Sequence, residues 1–315
     1  VVLDPSGIPI STEPRSQYCP SVAFDGTNYF IAWIDERSSD YHIYGARVNK
    51  SGVVLDLSGI AISTVVGQKN RPSIAFDGIN FLVVWSDYRN DPNSDIYGAR
   101  VNQSGIVLDS SGIPVSTMTN TQALPSVAFG DTNYLVVWSD GRNYLFPECS
   151  DIYGTQVSPL GIVLDSLGTC ISTAANDQWS PAIAFDGTNY LVVWQNEGSD
   201  SLSNINGVRV NQSGIILDPN GFVISDASNR QDSAAVAFDG KNYFVVWQDR
   251  RNGPGWDWDI YGCRVSPSGL ILDTLGIAIA TGLYKQESPS IAFDGTNYLV
   301  VWTDCRLNPM RPNIY

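Results

Sequence analysis

Residues Pro289–Trp302 read PSIAFDGTNYLVVW, and near-copies of that stretch begin at Pro20, Pro72, Pro125, Pro181 and Ala234. The tryptophans closing the six copies, Trp33, Trp85, Trp138, Trp194, Trp247 and Trp302, stand 52, 53, 56, 53 and 55 residues apart. Self-similarity at a period of this size decides the architecture before local signals do. Each copy is one supersecondary unit that can bury its apolar face only against its neighbours. Inside the quoted stretch an apolar run ends at Asp-Gly, the dipeptide of tight hairpins. NYLVVW then continues with the β-branched and aromatic residues that favour strands.

Outward from this core, each unit adds a third segment of the type DIYGARV and a fourth of the type GIPVST, with glycine-bearing turns between them. No sustained helical period interrupts the pattern. The repeat therefore predicts an all-β chain of four-stranded antiparallel units, a six-bladed β-propeller. The last copy stops at PNIY, so the opening segment VVLDPSGIPIST is expected to supply its fourth strand and close the ring. One domain is expected over residues 1–315, with blades at about 20–64, 72–117, 125–173, 181–226, 234–281, and 289–315 plus 1–12.

The unit PSIAFDGINFLVVWSDYRNDPNSDIYGARV, residues 72–101, resembles the WD40-like (PD40-like) repeat of TolB-type propellers in its Asp-Gly hairpin, aromatic second strand, Asp-x-Arg and Asp-Ile-Tyr. It is also similar to the repeat arrays of secreted bacterial surface proteins. The resemblance implies a fold and a secreted setting; it carries no activity.

Residues present in nearly every copy are read as scaffold. Asp35/Arg37, Asp87/Arg89, Asp140/Arg142, Asp249/Arg251 and Asp304/Arg306 recur, and the arginine fork is expected to reach Asp95, Asp151 or Asp259 on the next strand. Arg47, Arg100, Arg209 and Arg264 are read as scaffold too. Gln17, Lys69, Gln122, Gln178, Gln231 and Gln286 stand at equivalent positions and are expected to bond the loop backbone. The aspartates of DLSG, DSSG and DPNG are read as capping their own turns.

Net charge is −14, with only 18 basic residues scattered singly, which excludes a nucleic-acid or anionic-membrane partner. No apolar run approaches the roughly 20 residues of a membrane helix. No phosphate loop, Cys-x-x-Cys pair, serine elbow or sialidase Asp-box is present. His42 is read as a surface residue. No metal or cofactor motif is found, although a calcium ion held by backbone carbonyls in a channel or loop would leave no sequence mark.

Function is expected on the variable loops. Trp179, Trp256, Trp258, Tyr144, Phe146, Tyr18 and Tyr284 place large rings on polar loops, which suits stacking on sugars or anchoring a protein. The fourth unit departs most, with NEGSD and Asn204-Ile205-Asn206-Gly207 in place of Asp-x-Arg and Asp-Ile-Tyr-Gly. The expected function is a secreted, non-catalytic, monomeric binding module for a glycan or surface polymer. The alternatives are a carboxylate-dependent glycan-cleaving enzyme, glycosidase or lyase, using Glu197, Asp232 or Glu287, and a protein-interaction platform. Five cysteines suggest disulfides Cys19–Cys305 and Cys149–Cys170 with Cys263 a buried free thiol, hence an extracellular, cell-surface or periplasmic location.

Overall fold

The computed structural model describes residues 4, 6–38, 40–90, 92–143, 150–174, 176–198, 202–252, 257–306 and 313–314. Among these there is no helix. Contacts divide the chain into two compact units, Val1–Val136 with Thr155–Leu167 and Val137–Gly154 with Gly168–Tyr315.

Six antiparallel sheets follow one another in chain order. Sheet one is Gln17–Phe24, Asn28–Asp35, His42–Asn49 and Ile60–Ser63; sheet two is Lys69–Phe76, Asn80–Asp87, Asp95–Asn102 and Ile113–Ser116. Sheet three is Gln122–Gly130, Asn133–Asp140, Asp151–Val157 and Thr169–Ser172; sheet four is Gln178–Phe185, Asn189–Glu197, Ser203–Asn211 and Phe222–Ser225. Sheet five is Gln231–Phe238, Tyr243–Asp249, Asp259–Val265 and Ile277–Ala280. Sheet six has three strands among the described residues, Gln286–Phe293, Tyr298–Asp304 and Asn313–Ile314. Residues 6–12 form a turn and irregular backbone, so the strand expected from the chain's start is not among the described strands.

Local chemistry explains the repeat. In the first hairpin the Asp25 carboxylate accepts from the Thr27 and Asn28 amides, and Gly26 takes the left-handed φ of 91° that a side chain would oppose. The second strands of sheets one to five are buried along most of their length, so their apolar runs pack on both sides; that of sheet six is largely half-buried. Phe30, Ala32 and Ile34 meet Phe81, Val83 and Trp85 between sheets one and two, and Leu191 and Val193 meet Tyr243, Val245 and Trp247 between sheets four and five. Tyrosine hydroxyls stitch neighbours, Tyr134 donating to the Asn80 carbonyl and Tyr243 to that of Asn189.

Each first strand carries a bulge two residues in, at Cys19, Arg71, Leu124, Ser180, Ser233 and Ser288, all with φ between 50° and 57°. The preceding sheet fixes the bulge: Ser86 Oγ accepts from the Leu124 amide and Gln248 Oε1 from that of Ser288. The loop ahead of each first strand is held by the glutamine series. Gln122 donates to the Thr119 and Asn120 carbonyls, Gln231 to those of Ala227 and Asn229, and Lys69 replaces the amide by donating to Val65 and Gly67.

Two expectations about charge need correction. The arginine of Asp-x-Arg bonds its own aspartate rather than Asp95, Asp151 or Asp259; those three accept from Asn90, Asn143 and Asn252 instead. The tight turn places the guanidinium back over the strand it has just left. Likewise Asp56, Asp109 and Asp218 bind Arg47, Arg100 and Arg209 in bidentate pairs, while their backbone carbonyls make the turns.

Burial pushes the Asp35, Asp56, Asp109 and Asp218 carboxyls up, and the hydrogen bonds from Arg37, Arg47, Arg100 and Arg209 more than reverse it, leaving each below its ordinary value. A carboxyl depressed on folding stabilises the native state above its unfolded pKa of about 4 and loses that contribution as pH falls through the folded value. Thermal melts are therefore expected to hold steady down to about pH 4 and fall steeply below it. Asp56→Asn should flatten that fall, and a melting temperature indifferent to acid would contradict the pairing.

Candidate active site

In five of the six sheets the end of the second strand carries one polar set. The indole Nε1 of Trp33, Trp85, Trp138, Trp247 and Trp302 donates to the aspartate two residues on, at 2.7–3.1 Å. The same aspartate receives the arginine two residues further. Arg37, Arg89, Arg142 and Arg251 stack 3.7–4.0 Å over Tyr44, Tyr97, Tyr153 and Tyr261. Arg37, Arg89 and Arg251 then reach the carbonyls of Ser58, Ser111 and Leu275 ahead of the fourth strand.

Sheet four keeps Trp194 and replaces the rest with Asn196, Gly198 and Asn206. The scaffold carboxylate is gone, and an acid stands free of the scaffold set at Glu197. Glu197 pairs across the ladder with Ser203, and its amide donates to the Asp177 carbonyl. Asp232 enters from sheet five, one residue after Gln231. Arg230, next to it in sequence, joins the two acids: Nη1 lies 3.1 Å from Glu197 Oε1 and Nε 3.3 Å from Asp232 Oδ2. The Ser203 hydroxyl donates to Asp232 Oδ1 at 2.5 Å.

Two carboxylates sharing one guanidinium stand inside the roughly 9.5 Å limit that glycosidase acid pairs require. Their surroundings differ. The Asp232 side chain is 10% exposed and gripped at both oxygens, whereas that of Glu197 is 28% exposed and gripped at one.

The third acid proposed from sequence, Glu287, does not join them. It pairs with Lys285 at 3.9 Å on the first strand of sheet six. Of the aromatic set, Trp258 is buried with Arg250 4.7 Å over its ring, so it is local core rather than a platform. Trp179 is half-buried at the first-strand bulge opposite Gln195. Tyr284 is exposed, and its φ of 70° belongs to the loop that Gln286 holds. Tyr18 is exposed beside Tyr41; its hydrogen bond to Glu36 lowers that carboxyl, while partial burial and the same bond push the phenol up. Tyr144, Phe146 and Trp256 lie outside the described residues.

His42 is buried rather than on the surface: its strand register sets it opposite Asp35, and burial followed by the nearby Lys69 charge lowers its pKa. Among the described residues no three His, Cys, Asp or Glu side chains gather to hold a metal. The disulfides are not present. Cys19, Cys170 and Cys305 are free thiols, as is the buried Cys263, and Cys149 lies outside the described residues. The bulge turns Cys19 onto the core of sheets one and two, and the Cys170 thiol meets the Tyr153 hydroxyl. The cysteine argument for an oxidising compartment is thereby lost.

Sequence reasoning left Ser203 and Arg230 out of the site. The signal lay in register: where Arg230 stands, the other units carry Ser16, Gln68, Thr121, Asp177 and Lys285. Only this arginine faces a sheet that lacks its own.

No family model matches the chain, and no curated protein is significantly similar to it. Solved structures do share its fold. An alpha-L-arabinofuranosidase from Lactobacillus brevis superposes with a TM-score of 0.51 at 10% identity, covering 81% of this chain and 93% of the other. GH43B of a Bacteroides ovatus xyloglucan PUL gives 0.50 at 13%, covering 94% and 63%. A further glycoside hydrolase gives 0.50 at 13%, covering 92% and 68%. The fold is an all-β propeller of four-stranded sheets; the likeness to TolB-type repeats finds no support. The expected non-catalytic binding module is overturned as well: the solved structures named above that share this fold are glycoside hydrolases.

Proposed function

We propose that this chain is a glycoside hydrolase acting on neutral glycans that bear α-L-arabinofuranosyl groups, with Glu197 and Asp232 as its acid pair. The observation that carries the reading is the convergence of these two carboxylates on Arg230 at the one sheet that has lost its scaffold aspartate and arginine. The fold shared with the Lactobacillus brevis alpha-L-arabinofuranosidase supports the reaction class and the sugar. The net charge of −14 disfavours polyanionic glycans and leaves neutral ones.

In this reading Glu197 protonates the departing glycosidic oxygen as the bond to the anomeric carbon breaks. Asp232, held in place by Arg230 and Ser203, meets the positive charge growing on that carbon, either directly or through a water that it deprotonates. The finer architecture belongs to the same proposal: six blades, one to each sheet.

Release of reducing ends from arabinan and arabinoxylan tests the function. Wild type should liberate sugar from at least one of them. If wild type, Glu197→Gln and Asp232→Asn released none alike, the enzymatic reading would fall.

A further inference from the structure

Sheet four contains a slot that the other sheets fill. Where the arginine side chain would lie there is Gly198, where its carboxylate would be there is Asn196, and where its stacking partner would be there is Asn206. Three polar atoms are buried there with no hydrogen-bond partner: Trp194 Nε1, Asn196 Oδ1 and Asn206 Oδ1. Trp194 is 1% exposed. A second observation shows the room. A methyl group built on Gly59, Gly112 or Gly276 meets the guanidinium of Arg37, Arg89 or Arg251 at 3.1–3.4 Å, and on Gly168 of sheet three it meets Trp138 at 3.0 Å; on Gly221 it meets the Gly207 carbonyl oxygen at 3.4 Å and Trp194 no nearer than 3.8 Å. The slot borders solvent, because Asn196, Gly198 and Asn206 are each partly exposed.

Buried donors and acceptors left without partners are costly, so a group that satisfies them binds there with a gain. Their pattern selects its chemistry. Both members of the charged pair have been removed together, so a cation finds no carboxylate in the slot and an anion meets two carbonyl oxygens. One indole N–H and two amide oxygens match adjacent hydroxyl groups, each of which accepts one hydrogen bond and donates another.

We infer that this slot is a binding subsite for the hydroxyl groups of a neutral sugar unit. The inference deepens the proposed function, since Asn196 adjoins Glu197 on the same strand, and it rests on that reading for the identity of the sugar. An occupied subsite would anchor one residue of the glycan while its neighbour lies at the acid pair.

The indole N–H resonances of nitrogen-15-labelled protein provide the test, with Trp194→Phe identifying the signal of Trp194. L-Arabinose and xylose should shift it saturably in the millimolar range; guanidinium chloride and sodium sulfate should not. The triple substitution Asn196→Asp, Gly198→Arg and Asn206→Tyr refills the slot after the pattern of the other sheets. It is expected to raise the sugar dissociation constant at least about tenfold and to raise the melting temperature. A Trp194 signal indifferent to both pentoses would leave only trapped water in the slot, and one that answers guanidinium would make it a cation site; either overturns the inference. A pentose response in a protein that hydrolyses nothing would keep the subsite and sink the enzyme, whereas hydrolysis with a silent Trp194 would do the reverse.

Discussion

Asp232→Asn is expected to lower the rate of glycan hydrolysis by roughly 10³-fold, within the range that positioned acid–base groups contribute. The substitution keeps the shape of the side chain and removes the negative charge that Arg230 and Ser203 hold in place. Loss should extend to every substrate, because charge on the anomeric carbon develops whatever the leaving group. Glu197→Gln should behave differently. A natural glycan needs its glycosidic oxygen protonated, and hydrolysis should fall by a similar roughly 10³-fold. A nitrophenyl arabinofuranoside, whose leaving group departs without a proton, should lose far less. Glu287→Gln, removed from the pair and bound to Lys285, should stay within about twofold of wild type. Equal losses for Glu197→Gln on both kinds of substrate would contradict the role given to it, and a fully active Asp232→Asn would remove the pair as the site.

The largest effect on stability is expected at Asp87. Its carboxylate is fully buried and accepts from Trp85 Nε1 at 2.8 Å and from Arg89 at 2.9 Å and 2.7 Å, with Lys69 Nζ 3.7 Å away. Lys69 is itself buried, and desolvation drives its pKa down while Asp87 pushes it back. Asp87→Ala strips that cation of its counter-charge in the interior, a change that costs about 4 kcal/mol where it has been measured. The melting temperature should fall by roughly 8 °C in a chain of this size. Asp304→Ala removes the same motif in sheet six, where the arginine is 44% exposed, and should cost only about 1–2 kcal/mol. Adding Lys69→Gln to Asp87→Ala should restore part of the loss, since glutamine is what the other five units carry and an amide leaves no stranded charge. Equal losses at Asp87 and Asp304 would mean that burial of the lysine adds nothing.

The repeat made much of the fold legible in advance. Alternation, the Asp-Gly hairpins and the six tryptophans act through neighbours within a few residues or through an adjacent copy of the same unit, so their consequences can be read along the chain. The glutamine series was legible for the same reason: each amide finds its carbonyls within the preceding four residues. Partner choice was not. Whether Arg37 takes Asp35 or an acid on the next strand depends on the angle at which the turn returns the side chain, and both carboxylates suit its fork. The cysteines failed likewise, because a bulge at Cys19 and a tyrosine beside Cys170 decide where those thiols point.

Sequence alone thus determined the units and the six-fold repetition, and it marked the fourth unit as the one that departs. Tertiary structure decided what that departure means. Arg230 lies 33 residues beyond Glu197 and bridges it to Asp232, and the slot beside Trp194 is visible only against the arginines that fill it elsewhere. The physical reason is one of range. Strand and turn preferences are local free energies summed along the chain, whereas an acid pair and an empty slot exist only where separate strands, each stable for its own reasons, are brought within hydrogen-bond distance.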